Sequence, residues 1–496
     1  MGVGLAGEFA ASLAGLRVCV AGLGVSGPPT ARALAARGAE VTAVDAGDDA
    51  ARRLLAQELA GAGVRVLLGP DATRSVPPGT GLVVTSPGWR PDQPLLAAAA
   101  AAGIEVIGDV ELAWRLRPVR PDGTRQPWLA VTGTNGKTTT VRMLAAMLQA
   151  AGLRAVEAGN VGTPVIETVC AADPPEVLAV ELSSFQLHWS STLRPAAAAI
   201  LNIAAHHLDW HGDIDAYVAD KAKIFAPGTI AIGNADDPRS AALARAAPGT
   251  RRVVSFRLGA PGPGELGVSG GYLVDRAFGD GDVRLAAVTG IGAGHGVADH
   301  GGAAAEGSRP PAPHVIADAL AAAALARAHG VQAAAVASSL AGFRPDPHRI
   351  ALVGTVGGVE FVDDSKASNP HAAAASLAAF DSVVWIAGGQ FKGADADLDA
   401  LVTRAAPRLR GVVLLGADRD RIARAVARHA PQVPVVEVTE TDTGVMDIVV
   451  AKAAGLAVPG DTVLLAPAAQ SFDIFRDYPA RGEAFAAAVG RLAAGR

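Results

Sequence analysis

A chain of 496 residues is too long for one hydrophobic core and calls for roughly two to four domains. Half of its residues are hydrophobic, 18% are charged and the formal net charge is −5, which excludes a disordered chain and argues against nucleic acid as the main partner. Cys19 and Cys170 cannot build a disulfide framework, the N-terminus lacks a basic region before Glu8, and the alanine-rich stretch Leu95 to Gly103 is too short to span a bilayer, so a cytoplasmic protein without membrane insertion is expected.

The first segment alternates short apolar runs with helical stretches. Strands are predicted at Arg17 to Ala21, Glu40 to Val44, Leu82 to Thr85 and Glu105 to Ile107, with a helix over Pro29 to Arg37. This alternation implies a parallel sheet covered by helices. Pro118 to Pro127 is polar, contains three prolines and reads as a linker. A second α/β unit opens at Trp128 to Val131 and continues at Val177 to Val180 and Ala198 to Ile203. Thr289 to Pro313 loses all periodicity and reads as a surface insertion without chemistry. A third unit follows from near His348, with strands at Val359 to Val362, Ser382 to Ile386, Val412 to Leu415 and Thr462 to Leu465.

Gly133-Thr134-Asn135-Gly136-Lys137-Thr138-Thr139 falls between a strand and a helix starting near Val141. Backbone N–H groups in such a turn suit a polyphosphate; Lys137 would offset phosphate charge and the Thr138 hydroxyl could bind Mg²⁺. The strict phosphate-loop pattern would carry a glycine where Val131 stands. Gly22-Leu23-Gly24-Val25-Ser26-Gly27 follows the first strand, and Asp45 ends the next, where a ribose-binding acid would lie. A nicotinamide cofactor, another nucleotide or tight packing would each explain this turn. The second loop favours a nucleotide-linked substrate in the first domain and ATP in the second. Glu181, at a strand's C-terminal end, is placed to hold Mg²⁺. His206, His207 and His211 hint at zinc but follow a strand, and surface or hydrogen-bonding roles suit most of them.

The basic residues are 37 arginines and only six lysines. A composition drifting towards arginine keeps lysine where a compact or deprotonatable amine is needed, and Lys137, Lys221, Lys366 and Lys392 all fall in the motifs.

The phosphate loop, Gly159-Asn160-Val161-Gly162-Thr163-Pro164, Glu181 to Leu187, and His207-Leu208-Asp209 followed by Tyr217 to Lys221 together resemble the Mur ligases. Asp364 to Asn369, Gly388 to Lys392, and Ser471 through Phe485 extend the resemblance over essentially the whole chain, closest to the branch that adds D-glutamate to UDP-N-acetylmuramoyl-L-alanine.

This resemblance implies three α/β domains: a Rossmann-like one over 1–117 for the UDP substrate, a central P-loop-type ATPase domain over 128–346, and a Rossmann-like one over 347–496 for the amino acid. It assigns Gly24, Val25, Ser26, Gly27, Asp45, Ser86, Gly88, Asn160 and Ser183 to the UDP substrate. Gly133 to Thr139, Asp318, Arg349, Asp364 and Lys366 fall to ATP, and Ser368, Lys392, Ser471 and Tyr478 to D-glutamate. Two Mg²⁺ sites are implied, one on Thr138 and Glu181, the other on His207 and Lys221, with the lysine carbamylated so that it offers oxygen. The implied chemistry is an ATP-dependent peptidoglycan ligase reaction through an acyl phosphate. Three positions depart from the pattern: Asp318 replaces an adenine-side asparagine, Ser368 a usual threonine, and Tyr478 a phenylalanine found in some members. Another amino-acid ligase of the superfamily is the nearest alternative. A folylpolyglutamate synthase lacks the first domain, and intact Lys137, Glu181, His207 and Lys221 argue against a non-catalytic nucleotide-binding module.

Overall fold

A computed structural model describes residues 9–160, 162–292, 311–344 and 347–495. Val161 of the Gly-Asn motif and most of the Thr289 to Pro313 insertion lie outside the described residues. The apolar runs become three sheets. The first contains β1 (Arg17–Ala21), β2 (Glu40–Asp45), β3 (Arg65–Leu68), β4 (Leu82–Thr85) and β5 (Glu105–Gly108) in the order 3-2-1-4-5. All its pairings are parallel.

The second sheet contains β6 (Trp128–Thr132), β7 (Ala155–Gly159), β8 (Val177–Glu181), β9 (Ala197–Ile200), β10 (Ile230–Asn234), β11 (Arg252–Phe256), β12 (Glu265–Ser269), β13 (Tyr272–Asp275) and β14 (Val283–Ala287). Their order is 14-13-12-11-10-9-6-8-7, with an antiparallel meander from β12 to β14 at one edge. Central strands of a parallel sheet are covered on both faces, which is why β6 and β8 are buried along their whole length and read as unbroken apolar runs. The helix Pro313–Ala328 buries Ala319 through Ala326 completely, its small side chains letting the backbone approach its neighbours closely.

The third sheet runs β15 (Ala351–Val356), β16 (Val359–Asp363), β20 (Thr462–Leu465), β17 (Val383–Gly388), β18 (Leu409–Leu415) and β19 (Val435–Glu437). Only β15 pairs antiparallel. The chain divides into two compact units, the first built on the first two sheets and the second on the third.

Several sequence expectations shift in detail. Pro118 to Pro127 is a hydrogen-bonded turn, with Val119 bridged to Arg125 and the Arg120 N–H donating to Thr124 O at 2.7 Å. The strand expected over Ala198 to Ile203 ends at Ile200, because Leu201 to Ile203 turn away to meet the glycine-rich loop. The helix expected from Val141 starts at Lys137.

Within the first unit the two sheets meet through Glu111, on the helix Asp109–Leu116. This carboxylate is 0% exposed and accepts from the Ser191 N–H at 3.0 Å, the Thr192 N–H at 3.1 Å, the Thr192 hydroxyl at 2.5 Å and Arg115 Nε at 2.8 Å. Trp114 packs edge-on against Trp128 beside it, with ring centroids 5.2 Å apart. Removing this carboxylate leaves two amides and the Thr192 hydroxyl without their acceptor and takes one of two carboxylates from the half-buried Arg115. Glu111→Ala is therefore expected to lose about 3 kcal/mol, read as a lower urea midpoint for the first unit. Glu105→Ala, which cuts the exposed arm of the same arginine, should cost under about 1 kcal/mol.

Candidate active site

In the second sheet, β9, β6, β8 and β7 are neighbours, so their C-terminal ends open side by side. Each end delivers one candidate segment. The loop after β6 turns through Gly133 (φ 156°) and Gly136 (φ 86°) into the helix Lys137–Ala150. The loop after β9 locks onto it: the Asn135 N–H donates to Asn202 Oδ1 at 2.9 Å and Asn202 Nδ2 returns to Asn135 O at 3.1 Å. Thr134 lies 3.0 Å from the Tyr217 hydroxyl. Lys137 Nζ curls back onto its own loop, donating to Gly133 O at 3.1 Å and Thr134 O at 3.0 Å.

Glu181, at the end of β8, is 2% exposed. It accepts from the Thr138 hydroxyl at 2.9 Å through Oε2 and from Asn160 Nδ2 at 2.8 Å through Oε1. Thr138, Glu181 and Asn160 thus meet from three different strand ends. Lys221 enters from the helix Ile214–Ala222 and is also 2% exposed. Its Nζ donates to Gly133 O at 2.9 Å and Thr132 Oγ1 at 3.2 Å. Burial, followed by the charge of Lys137, drives its ammonium well below the ordinary lysine range, against a smaller opposing pull from Glu181. His207 lies close enough to feel both lysines; burial, offset in part by Asp209, brings its imidazole down to about 4. It holds a left-handed backbone, φ 55°, with its ring 4.8 Å from that of Phe185.

Ser183 caps the helix Ser184–His188 in a capping box with Gln186, so its hydroxyl carries a structural duty beside the expected substrate contact. Asp318 packs on the phosphate loop: a Cβ at Gly136 would fall 2.2 Å from Asp318 Oδ1. Sequence reasoning passed over Thr132 and Asn202, both polar residues at strand ends next to motifs it had found.

In the first sheet, Asp45 folds the glycine-rich turn onto itself, accepting from the Leu23 N–H at 2.8 Å, the Gly47 N–H at 2.8 Å and Arg52 Nε at 2.9 Å. A Cβ at Gly27 would lie 1.9 Å from Gly22 O, which makes glycine obligatory there. Gly24 has open space around it, Val25 is 84% exposed, and the Ser86 hydroxyl closes the turn from β4 by donating to Gly22 O at 3.3 Å. The Ser26 hydroxyl reaches Asp109, whose carboxyl burial pushes up to about 6. Gly88 O receives Trp210 Nε1 at 3.3 Å.

In the second unit the C-terminal ends of β16, β20 and β17 adjoin. They carry Asp364 to Ser368, Ala466 to Ser471, and Gly389 to Lys392. Asp364 is buried and accepts from the Ser376 hydroxyl; burial raises its carboxyl to about 6 against the pull of Arg349. Lys366 Nζ sits 3.9 Å over the Tyr478 ring, and the Ser368 N–H donates to Lys366 O at 2.7 Å. Gly389, at φ 130°, has to be glycine, since a Cβ would strike Gln470 O at 2.1 Å. That close approach holds the Lys392 loop beside buried Ser471, with Lys392 itself exposed.

Known proteins resemble this arrangement throughout. The family models described as Mur ligase MurD-like N-terminal domain, Mur ligase middle domain, and Mur ligase glutamate ligase domain match residues 16–108, 131–262 and 348–469. A relative from Thermobifida fusca, named UDP-N-acetylmuramoylalanine--D-glutamate ligase, is 58% identical over 97% of this chain and 99% of its own. One of the same name from Streptomyces avermitilis is 55% identical with the same coverage. The chain belongs to the Mur ligase family. Solved structures of a pseudomurein peptide ligase type C from Methanothermus fervidus and of a UDP-N-acetylmuramate-alanine ligase from Thermotoga maritima share the Mur ligase fold. Their TM-scores are 0.56 and 0.53, each at 17% identity, over 96% and 97% of this chain and 100% of theirs.

The close packing at the end of β7 makes the Glu181 position testable. Gly159 has φ 112°, and a Cβ there would lie 2.2 Å from the Glu181 carbonyl oxygen, a backbone atom that cannot step aside. Gly159→Ala should therefore displace Glu181 and cut turnover at least about tenfold, because a misplacement of about 1 Å is enough to do so. Gly152→Ala, also at positive φ but in open space, should leave kcat unchanged in a steady-state assay.

Proposed function

We infer that the chain joins D-glutamate to UDP-N-acetylmuramoyl-L-alanine with cleavage of ATP to ADP and phosphate, a step of peptidoglycan synthesis. The observation that carries this reading is near-full-length similarity to ligases of that name, at 58% and 55% identity. The clustering of Lys137, Thr138, Glu181 and Lys221 around the end of β6 supports it. Both substrates besides ATP are small molecules, and among the described residues no helix is long and apolar enough to cross a membrane. We place the reaction in the cytoplasm.

The Mur ligase family uses ATP and Mg²⁺. We assign the UDP moiety to 1–117, ATP and the muramoyl-alanine end to 128–346, and D-glutamate to 347–496. An alanine carboxylate oxygen attacks the γ-phosphorus and ADP departs; the D-glutamate amine then attacks the acyl carbon and phosphate departs. Lys137 already points its ammonium into the phosphate loop and exchanges two loop carbonyls for phosphate oxygens when nucleotide binds. Backbone N–H groups at the start of the helix Lys137–Ala150 cradle the same phosphates. Asn160 and the Glu181 network fix the floor on which the carboxylate lies.

The residues fit a hard cation on the Thr138–Glu181 side, where a hydroxyl and a carboxylate lie 2.9 Å apart. On the Lys221 side they fit only when the amine has been converted to an oxygen donor. A buried lysine driven towards its neutral form suits that conversion: the free amine adds to carbon dioxide, forming an N–C bond and releasing a proton. His207, held neutral, is the second donor. Bound Mg²⁺ supplies charge neutralisation to the transferring phosphoryl group.

In a phosphate-release assay with ATP and UDP-N-acetylmuramoyl-L-alanine, D-glutamate is expected to support turnover while L-glutamate, L-lysine and meso-diaminopimelate do not. Turnover of one of these with D-glutamate inert would overturn the specificity. Lys137→Ala should lower kcat at least about a hundredfold and leave UDP-substrate binding, measured by calorimetry, intact. Lys392→Ala should raise the KM for D-glutamate about tenfold or more, with the KM for ATP unchanged.

A further inference from the structure

Below the Glu181, His207 and Lys221 group lies a buried polar cluster that the chemistry above does not use. His211 ends the four-residue helix Leu208–His211, and its side chain is 1% exposed. Its Nδ1 is 3.1 Å from Asp220 Oδ2 and its Nε2 is 2.9 Å from the Ser184 hydroxyl. Asp220 is also met by His188 Nδ1 at 2.8 Å and Lys223 Nζ at 2.9 Å. With one ring nitrogen facing the Asp220 carboxyl and the other the Ser184 hydroxyl, the imidazole bonds both at once, donating through Nδ1–H to Asp220 and accepting at Nε2 from Ser184.

These distances are those of a nucleophile, base and acid in relay. Ser184 is 2% exposed, however, so no substrate reaches its hydroxyl. What the three residues share is where they sit. Ser184 lies three positions after Glu181, Asp220 immediately precedes Lys221, and His211 closes the turn that His207 opens. That turn needs outside support. A left-handed backbone at a non-glycine residue costs about 1–2 kcal/mol, and a single helical turn has little stability of its own. The His211 N–H returns to His207 O at 3.1 Å, and its imidazole pins the turn to the other two segments.

We propose that His211 is a positioning residue: one imidazole fixes the separations of the three segments that bear Glu181, His207 and Lys221, and so keeps those groups converged on the cation. This inference rests on the metal-dependent ligase reading above. Two cuts separate its ends. His211→Asn can still reach Asp220 but not Ser184, and Ser184→Ala removes the other half of the same bond; His211→Ala removes both.

The measurement is Mn²⁺ binding to the full chain in the presence of ADP, by electron paramagnetic resonance, alongside the Mg²⁺ dependence of turnover. His211→Ala should weaken Mn²⁺ roughly 10- to 100-fold and raise the half-saturating Mg²⁺ by a similar factor, with the KM for D-glutamate unchanged. His211→Asn and Ser184→Ala should fall between it and the parent chain. Unchanged Mn²⁺ affinity in folded His211→Ala overturns the proposal, as does unchanged affinity in both single-end variants should the alanine chain not fold. Mn²⁺ binding that survives Glu181→Ala and Lys221→Ala together overturns the metal reading instead.

Discussion

An amine buried beneath the phosphate loop is the constraint around which the first unit is arranged. Lys221 is 2% exposed, and the two oxygens its amine donates to, Gly133 O and Thr132 Oγ1, are neutral. A full positive charge in that position would be poorly compensated, and Lys137 nearby makes it worse. The site therefore favours a neutral amine. Every neighbouring element serves this geometry: Thr132 and Gly133 end β6, Tyr217 lies under the amine with its ring 4.8 Å from Nζ, and the Tyr217 hydroxyl reaches back to Thr134. The phosphate loop and the lysine pocket are two faces of one strand end.

The same device recurs in all three sheets. Parallel strands point their C-terminal ends one way, and adjacent ends bring loops that are distant in sequence into contact. In the second sheet this joins residues near 133, 160, 181 and 202; in the third it joins those near 364, 390 and 470. Glycine is required where these loops touch, because the neighbour is backbone. Gly159 meets the Glu181 carbonyl and Gly389 the Gln470 carbonyl. Rigid strands and obligatory glycines leave little freedom in the placement of Glu181 or Ser471.

Local chemistry was legible in the sequence because it is written in contiguous residues. The runs at Arg17–Ala21, Leu82–Thr85 and Thr462–Leu465 form strands with the limits their composition implies. The glycine-rich turns fall at strand ends as expected. Pairing between distant segments was not legible. Nothing in Thr462–Leu465 says that it lies between β16 and β17, because a buried central strand looks the same wherever it is inserted. The β12 to β14 meander was missed since its strands are only four or five residues long and lie in a glycine-rich stretch. Leu201 and Ile203 extended the apolar run beyond β9, although Asn202 between them holds Thr134 with its backbone carbonyl and Asn135 with its side chain. The Ser184, His211 and Asp220 cluster joins residues up to 36 positions apart in sequence; Ser184 and Asp220 lie in motifs read for other residues, and only the fold brings the three together.

The scarcity of lysine has a structural counterpart. Lys452 is exposed on the helix Val445–Leu456, and Lys223 pairs with Asp220 at 2.9 Å, roles that a guanidinium also fills. Lys221 is different in kind. Arginine keeps its proton under all conditions a protein meets, carries five donors and needs a planar slot. Two neutral oxygens beside Lys221 cannot satisfy such a group, and a charge that cannot be shed would stay buried next to Lys137. Lys137 is constrained for the complementary reason. Its ammonium reaches Gly133 O and Thr134 O within a turn that must also receive phosphate, and a point charge on a flexible stem moves between those partners where a rigid fork does not. The two lysines nearest β6 are thus fixed by opposite demands, one to lose its charge and the other to keep it.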